Sequence, residues 1–327
     1  MASLLSLEFV HVCERPSAPA AFKFVTSTVS AGGDALFLYV ENDPENQVFA
    51  TETKGGATFP RPRMREAKAF SLCILGSEGE RWLNLPPVDI AFPKVEMFPD
   101  GRVLLAGARC RWRGPDEFDR NGVVYDPKTG VTERILLGDG IEDIAIDEIG
   151  RIWVSYFDEG VFGNFGWGRP GPAGPGSGGL VCFAADGDVQ WQFNRKGSTA
   201  FIEDCYAMHA SRSKISVFYY SDFHVCEIDM NFEQAFFRPA QIAGSHALVT
   251  AGSAFLLSSQ YDEPSDTMHL LLRDKDRVGD PQRMRAKLPN DWTIGDSNIL
   301  GRCECLHMLN ERGWFRAELS VLVADLT

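Results

Sequence analysis

Residues 138–160 read GDGIEDIAIDEIGRIWVSYFDEG. The run divides into a Gly138-Asp139-Gly140 turn, a short strand with Ile144 and Ile146 in alternation, a tight turn at Ile149-Gly150-Arg151, and the strand Ile152-Trp153-Val154-Ser155-Tyr156-Phe157. The last strand is β-branched or aromatic on both faces, so both faces need cover. A two-layer sandwich with one wet side does not supply it. Small sheets packed face to face around an axis do, and the stretch therefore predicts an all-β fold of the β-propeller kind.

The rest of the chain repeats this unit imperfectly. Upstream, VEMF (95–98), RVLLAGARC (102–110), GVVYD (122–126) and VTERILL (131–137) form a four-strand meander. Its Gly101-Arg102-Val103 stands 49 residues before Gly150-Arg151-Ile152, and GVVYD stands 57 before GLVCF at 179. The difference is absorbed by one longer loop, GNFGWGRPGPAGPGSGG (163–179). Further copies begin at DCYAMHA (204–210) and HALVTA (246–251), and a last one, RCECLHML–WFRAEL–SVLVADL, supplies only three strands. The orphan strand 5–12 fits the missing fourth, pairing near 319–325 and removing exposed edges. The expectation is a single-domain six-bladed β-propeller closed by the N-terminal strand, with blades at about 20–90, 91–139, 140–199, 200–243, 244–295, and 296–327 plus 1–14.

Composition agrees. The chain has 327 residues, a net charge of −13 and eight cysteines with no CxxC pair. The acidity speaks against a nucleic-acid partner. No apolar run reaches the length of a membrane span, and MASLLSLEFVHV has no basic export region, so a cytoplasmic protein with no membrane partner and eight free thiols is expected.

In a propeller, the residues leading into each innermost strand share one face with the loops between second and third strands. The lead-in positions hold Glu142-Asp143 and Glu203-Asp204. Alignment on the turns sets Pro93-Lys94 opposite the first pair, His246 opposite Asp143 and Glu304 opposite Glu142. Converging carboxylates repel, which a bound cation or raised pKa values would relieve; the plain alternative is that each caps its own turn. Oxygen ligands suit Ca²⁺, Mg²⁺ or Mn²⁺, and His246 extends the set to Zn²⁺.

Among the longer loops, 157–179 carries Phe157, Phe162, Phe165 and Trp167 among glycines and prolines, which reads either as a ligand lid or as an insert packed under itself. Arg109, Arg111 and Arg113 share one face of an extended segment; they either grip an anionic ligand or pair with Asp116, Glu117 and Asp119. Cys303-x-Cys305-x-His307 has strand spacing too wide for one zinc and reads as buried small side chains. No GxSxG or HExxH motif is present.

The string IAIDEIGRIWVSYFDEG, with a weaker echo at 95–105, resembles the D-x-x-G-R-[IL]-W-V strand pair of six-bladed propellers of the regucalcin/gluconolactonase and strictosidine-synthase-like superfamily. In the gluconolactonase-like group this resemblance implies a divalent metal held in a central channel by Glu, Asn and Asp. Glu142, Glu203 and Glu304 are the matching positions, while SAPAAFKFV (17–25) lacks the Glu of blade one. Two functions follow. The first is a metal-assisted hydrolase or lyase acting on a small polar molecule, with Glu142, Glu203 and His246 as ligands or general base. The second is a non-catalytic module that binds a small ligand or a protein on its acidic, aromatic-rimmed face, with Asp143, Asp204, Phe162, Trp167, Arg109 and Arg111 at the contact.

Overall fold

The computed structural model describes residues 5–193, 201–211, 213–239, 241–275 and 277–324. Two compact units emerge: Pro16–Asp204, and a second that joins the N-terminal residues to those from Cys205 onward.

In the first unit, three four-stranded antiparallel meanders follow one another: Phe22–Val29, Ala35–Glu41, Arg63–Gly76 and Gly79–Ile90; then Pro93–Met97, Val103–Gly107, Gly122–Tyr125 and Thr132–Ile135; then Ile141–Ile146, Ile152–Tyr156, Leu180–Phe183 and Val189–Gln192. The middle sheet shows why they stack. Val103 and Leu105 pack with Leu36, Leu72 and Ile74 of the first sheet, while Leu104 and Ala106 pack with Ile144 and Val154 of the third. With a side-chain period of two, a strand apolar at every position serves two cores at once. Each such Leu, Ile or Val contributes about 1.5–3 kcal/mol on burial.

The organising stretch behaves as its pattern demands. Ile152 through Tyr156 are all buried; Ile152, Val154 and Tyr156 face the middle sheet, and Trp153 lies on the other side against Trp191 at 5.7 Å. The turn before it is held by one carboxylate. Asp147 accepts from the backbone N–H of Ile149 (3.2 Å) and Arg151 (2.9 Å), from Arg151 Nε (2.6 Å) and from the Trp153 indole (3.0 Å). Gly150 sits at φ 84°, where glycine avoids the Cβ clash. Asp100 echoes the device, accepting from Arg102 N and Nε. The D-x-x-G-R motif is thus a turn clamp.

Two hairpins stand apart from these sheets, Thr51–Lys54 with Ala57–Pro60 and Trp112–Gly114 with Glu117–Phe118.

The second unit is built alike. Asp204–Ala210, Lys214–Tyr220, His224–Asp229 and Gln234–Phe237 form one meander, and Leu248–Ala251, Ala254–Ser258, Thr267–Asp274 and Gln282–Lys287 the next. The last meander corrects the sequence reading. Its first strand is Asn298–Arg302, a turn follows at Cys303 and Glu304 (φ 48° and 61°), and Cys305–Asn310 and Gly313–Glu318 are the second and third strands. RCECLHML is therefore a hairpin corner, because two left-handed residues interrupt it. Residues 319–324 form a short helix, so the N-terminus has no strand to join there; residue 325 lies outside the described residues. Instead Val10–Cys13 pairs antiparallel with Gly313–Glu318, and Leu5–Glu8 runs parallel to Gln282–Lys287. Leu7 and Phe9 enter the core with Met284, Met308 and Phe315.

Candidate functional site

Of the acidic lead-in residues, Glu142 and Asp204 lie near enough for the charge of one to act on the other. Glu142 is the second residue of its strand, as Lys94 is of the preceding sheet's, and Asp204 begins the strand that follows. Burial raises the Glu142 pKa, Lys94 pulls it back, and Asp143 and Asp204 push it further up. Asp204 rises to about 6, through burial and then the charge of Asp158. Glu203, the residue before it, is partly exposed.

Asp143 has a structural task. Its Oδ1 accepts from Ile144 N at 2.8 Å, and its own N–H donates to Ser155 Oγ at 3.1 Å, at a point where the register between Ile141 and Asp143 shifts. The turn-cap alternative therefore describes Asp143, while Glu142 and Asp204 keep carboxylates that hold protons more tightly than usual.

His246 and Glu304 belong to the other unit. His246 precedes the Leu248–Ala251 strand and stacks on Tyr206 at 5.0 Å. Glu304 is exposed in the turn that follows Asn298–Arg302, so it does not occupy a lead-in position equivalent to Glu142. His307 is engaged on both nitrogens, with Arg302 O at 3.2 Å and the Trp314 indole at 3.0 Å, which leaves no ligand to join Cys303 and Cys305. Among the described residues no group of three or more His, Cys, Asp or Glu is disposed to hold a metal ion.

The arginine row divides its partners. Arg109 is almost wholly buried, with Nε and Nη2 donating to Asp139 at 3.0 and 2.8 Å and Nη1 to Glu159. Arg113 binds Asp119 at 3.0 Å. Arg111 pairs with Glu52, which comes from the Thr51–Lys54 hairpin rather than from its own loop. Of the three acids expected as partners, only Asp119 takes an arginine of the row in the ion pairs formed among the described residues.

The long loop is packed under itself at one aromatic and open at others. Trp167 is buried, donates its indole N–H to Cys110 O at 3.1 Å and packs near Phe118. Phe162 is 60 % exposed at the end of a one-turn helix. Phe165 adopts φ 47° and accepts at its carbonyl from Trp112 N (3.0 Å), which draws the loop onto the Trp112–Gly114 hairpin. Gly166 is required beside it: a Cβ there would lie 2.1 Å from Trp112 O.

These contacts leave a cleft of about 600 Å³ lined by Glu52, Thr53, Phe59, Arg111, Trp112, Asn164, Phe165 and Gly166. The guanidinium of Arg111 lies 4.8 Å from the Phe165 ring centre, and Phe59 meets that ring edge-on at 6.2 Å. Of the expected ligand-contact residues Arg111 lines the cleft, joined by Phe165 from the aromatic loop read as a lid. Glu52, Thr53 and Phe59 are not among the residues singled out from the sequence, although Gly55-Gly56 between two short alternating runs is a two-residue hairpin signal.

No family model matches the chain, and no curated protein matches it. Solved structures similar to it include virginiamycin B lyase from Staphylococcus aureus (11% identity, 94% of this chain and 98% of that one, TM-score 0.48). Another is regucalcin, a calcium-binding protein from Agrobacterium tumefaciens (12% identity, 96% and 95% covered, TM-score 0.47). No family and no activity follow from likenesses at this level. No helix among the described residues is long and apolar enough to cross a membrane.

Proposed function

We propose that the meanders are propeller blades, six in number, with Val10–Cys13 as the fourth strand of the last, and that the protein is a binding module for a small polar molecule. The observation that carries the function is the cleft between the two hairpins and the 157–179 loop. It has the volume of a small-molecule site, aromatic walls and a few converging polar groups, and it stands on irregular elements held by a rigid stack of sheets. A screen of small polar compounds by two-dimensional NMR tests this. Binders should shift the Trp112 indole and Asn164 side-chain amide signals and lose affinity in Phe59→Ala. A broad screen with no response at these two groups would overturn the reading.

A second reading, a hydrolase or lyase, is favoured by the nearness of Glu142, Asp143 and Asp204 near the starts of their strands, a group of partly buried carboxylates that a divalent cation would relieve. Metal analysis and calorimetry with Ca²⁺, Mg²⁺, Mn²⁺ and Zn²⁺ decide between the two. A stoichiometric ion lost to chelator supports the metal-assisted enzyme; a metal-free, chelator-indifferent protein supports the binding module.

A further inference from the structure

Among the described side chains that line the cleft, the charged ones are Arg111 and Glu52, and they are already paired. Arg111 and Glu52 are each about one-third exposed and joined side by side. Arg113, the next guanidinium along, is taken by Asp119. A charged ligand bound beside the intact pair meets the like charge of one partner, which offsets much of its attraction to the other.

A neutral ligand faces no such cost, provided it offers donors and acceptors together. The pair presents remaining guanidinium N–H groups next to a carboxylate. Asn164 adds its amide: Oδ1 accepts from Phe165 N at 2.7 Å, and Nδ2 carries two donors. Thr53 adds a hydroxyl, 3.4 Å from that of Thr58. Vicinal hydroxyls both donate and accept, and they match such a row of planar groups.

The apolar walls point the same way. The Phe165 ring is already in contact with two guanidiniums, Arg109 at 4.6 Å and Arg111 at 4.8 Å. Phe59 and Trp112 remain as partly exposed ring surfaces for the C–H face of a ligand. About 600 Å³ accommodates one or two sugar rings. We infer that the cleft binds a neutral saccharide, its hydroxyls spanning the Arg111–Glu52 pair and Asn164 and its ring face lying on Trp112 and Phe59. The inference rests on the cleft being the binding site.

Calorimetry with N-acetylglucosamine and cellobiose as neutral probes, and glucuronate and glucosamine at pH 6 as charged ones, tests the inference. The parent should bind a neutral probe at least tenfold more tightly than either charged one. Trp112→Ala should weaken that binding about tenfold with an unchanged melting temperature, and Trp112→Phe should restore most of it. Glu52→Gln leaves Arg111 without its counter-charge and should turn the preference toward glucuronate. Equal or tighter binding of a charged probe by the parent overturns the inference, as does the absence of heat from both neutral probes. If compounds found by NMR still shift Trp112 and Asn164 in that case, only the saccharide class falls; if none do, the cleft reading falls with it.

Discussion

Asp147 shows how much of this structure depends on single side chains. Its carboxylate closes the turn, fixes Arg151 and meets the Trp153 indole with almost no exposure to water. Removing one partner of a buried pair leaves the other uncompensated, so Asp147→Ala should lower the unfolding free energy by about 3–5 kcal/mol in urea denaturation. A loss under 1 kcal/mol would reduce the clamp to a surface turn. His209 gives a second residue-level expectation. It is fully buried, its Nδ1 lies 3.2 Å from Thr250 Oγ1, and burial, then the charge of Arg302, lowers its pKa to about 3. Below pH 6.5 the unfolded chain protonates this imidazole while the native state does not, so its stabilising contribution is complete above 6.5 and falls away as pH drops toward 3. The parent should therefore lose stability faster than His209→Gln between pH 6 and 5, by about 1 kcal/mol per pH unit. Carboxylates with raised pKa values, such as Asp204, act in the opposite sense in both proteins and cancel in the difference. Parallel pH profiles would show that His209 titrates normally.

Among the elements, the N-terminal strand pair carries a load out of proportion to its length. Leu5–Glu8 and Val10–Cys13 each extend a different sheet of the second unit, and Phe9, between them, donates its N–H to Lys287 O at 2.9 Å. Phe9 is 4 % exposed within a core that includes Met308 and Phe315. Phe9→Ala should cost about 3–5 kcal/mol, read by chemical denaturation. Deletion of residues 1–13 should abolish cooperative unfolding of this unit, since two sheets then lose a strand together. A truncated protein that melts like the parent would mean that the pairing contributes nothing. The Thr51–Pro60 hairpin is the converse case. It contributes little to the cores described, yet it brings Glu52 and Phe59 to the cleft.

For the whole molecule the cysteines supply the test. All eight are unbridged; Cys73, Cys110, Cys182, Cys205 and Cys226 are buried, and Cys13, Cys303 and Cys305 are partly exposed. Burial pushes the Cys182 thiol up to about 12 and Cys305 to about 11, and it raises Cys110 and Cys226 as well. Thiolates are the reactive form, so native protein at neutral pH should react slowly at no more than three positions, against eight in denaturant without reductant. A denatured count of six, confirmed by mapping, would establish a bridge that the structure does not contain.

The amino-acid sequence by itself determined the all-β class, the repeat of four-strand meanders and the turns at Gly101 and Gly150. These are set by local patterns: alternation with period two, apolar residues on both faces, and left-handed positions only glycine tolerates well. It also set Glu142-Asp143 and Glu203-Asp204 at matching expected positions, whereas in the structure the first pair lies within its strand and the second straddles the start of its own. Only the tertiary structure decided that Glu304 lies in a turn, that residues 319–324 are helical, and that Arg109 is neutralised by Asp139. The cleft was beyond sequence reading for the same reason. Glu52 and Arg111 stand 59 positions apart, on loops that meet only because separate sheets have stacked. Nothing in a linear pattern records which of several nearby acids an arginine will find, since that choice follows from distance, burial and the charges already spent on other partners.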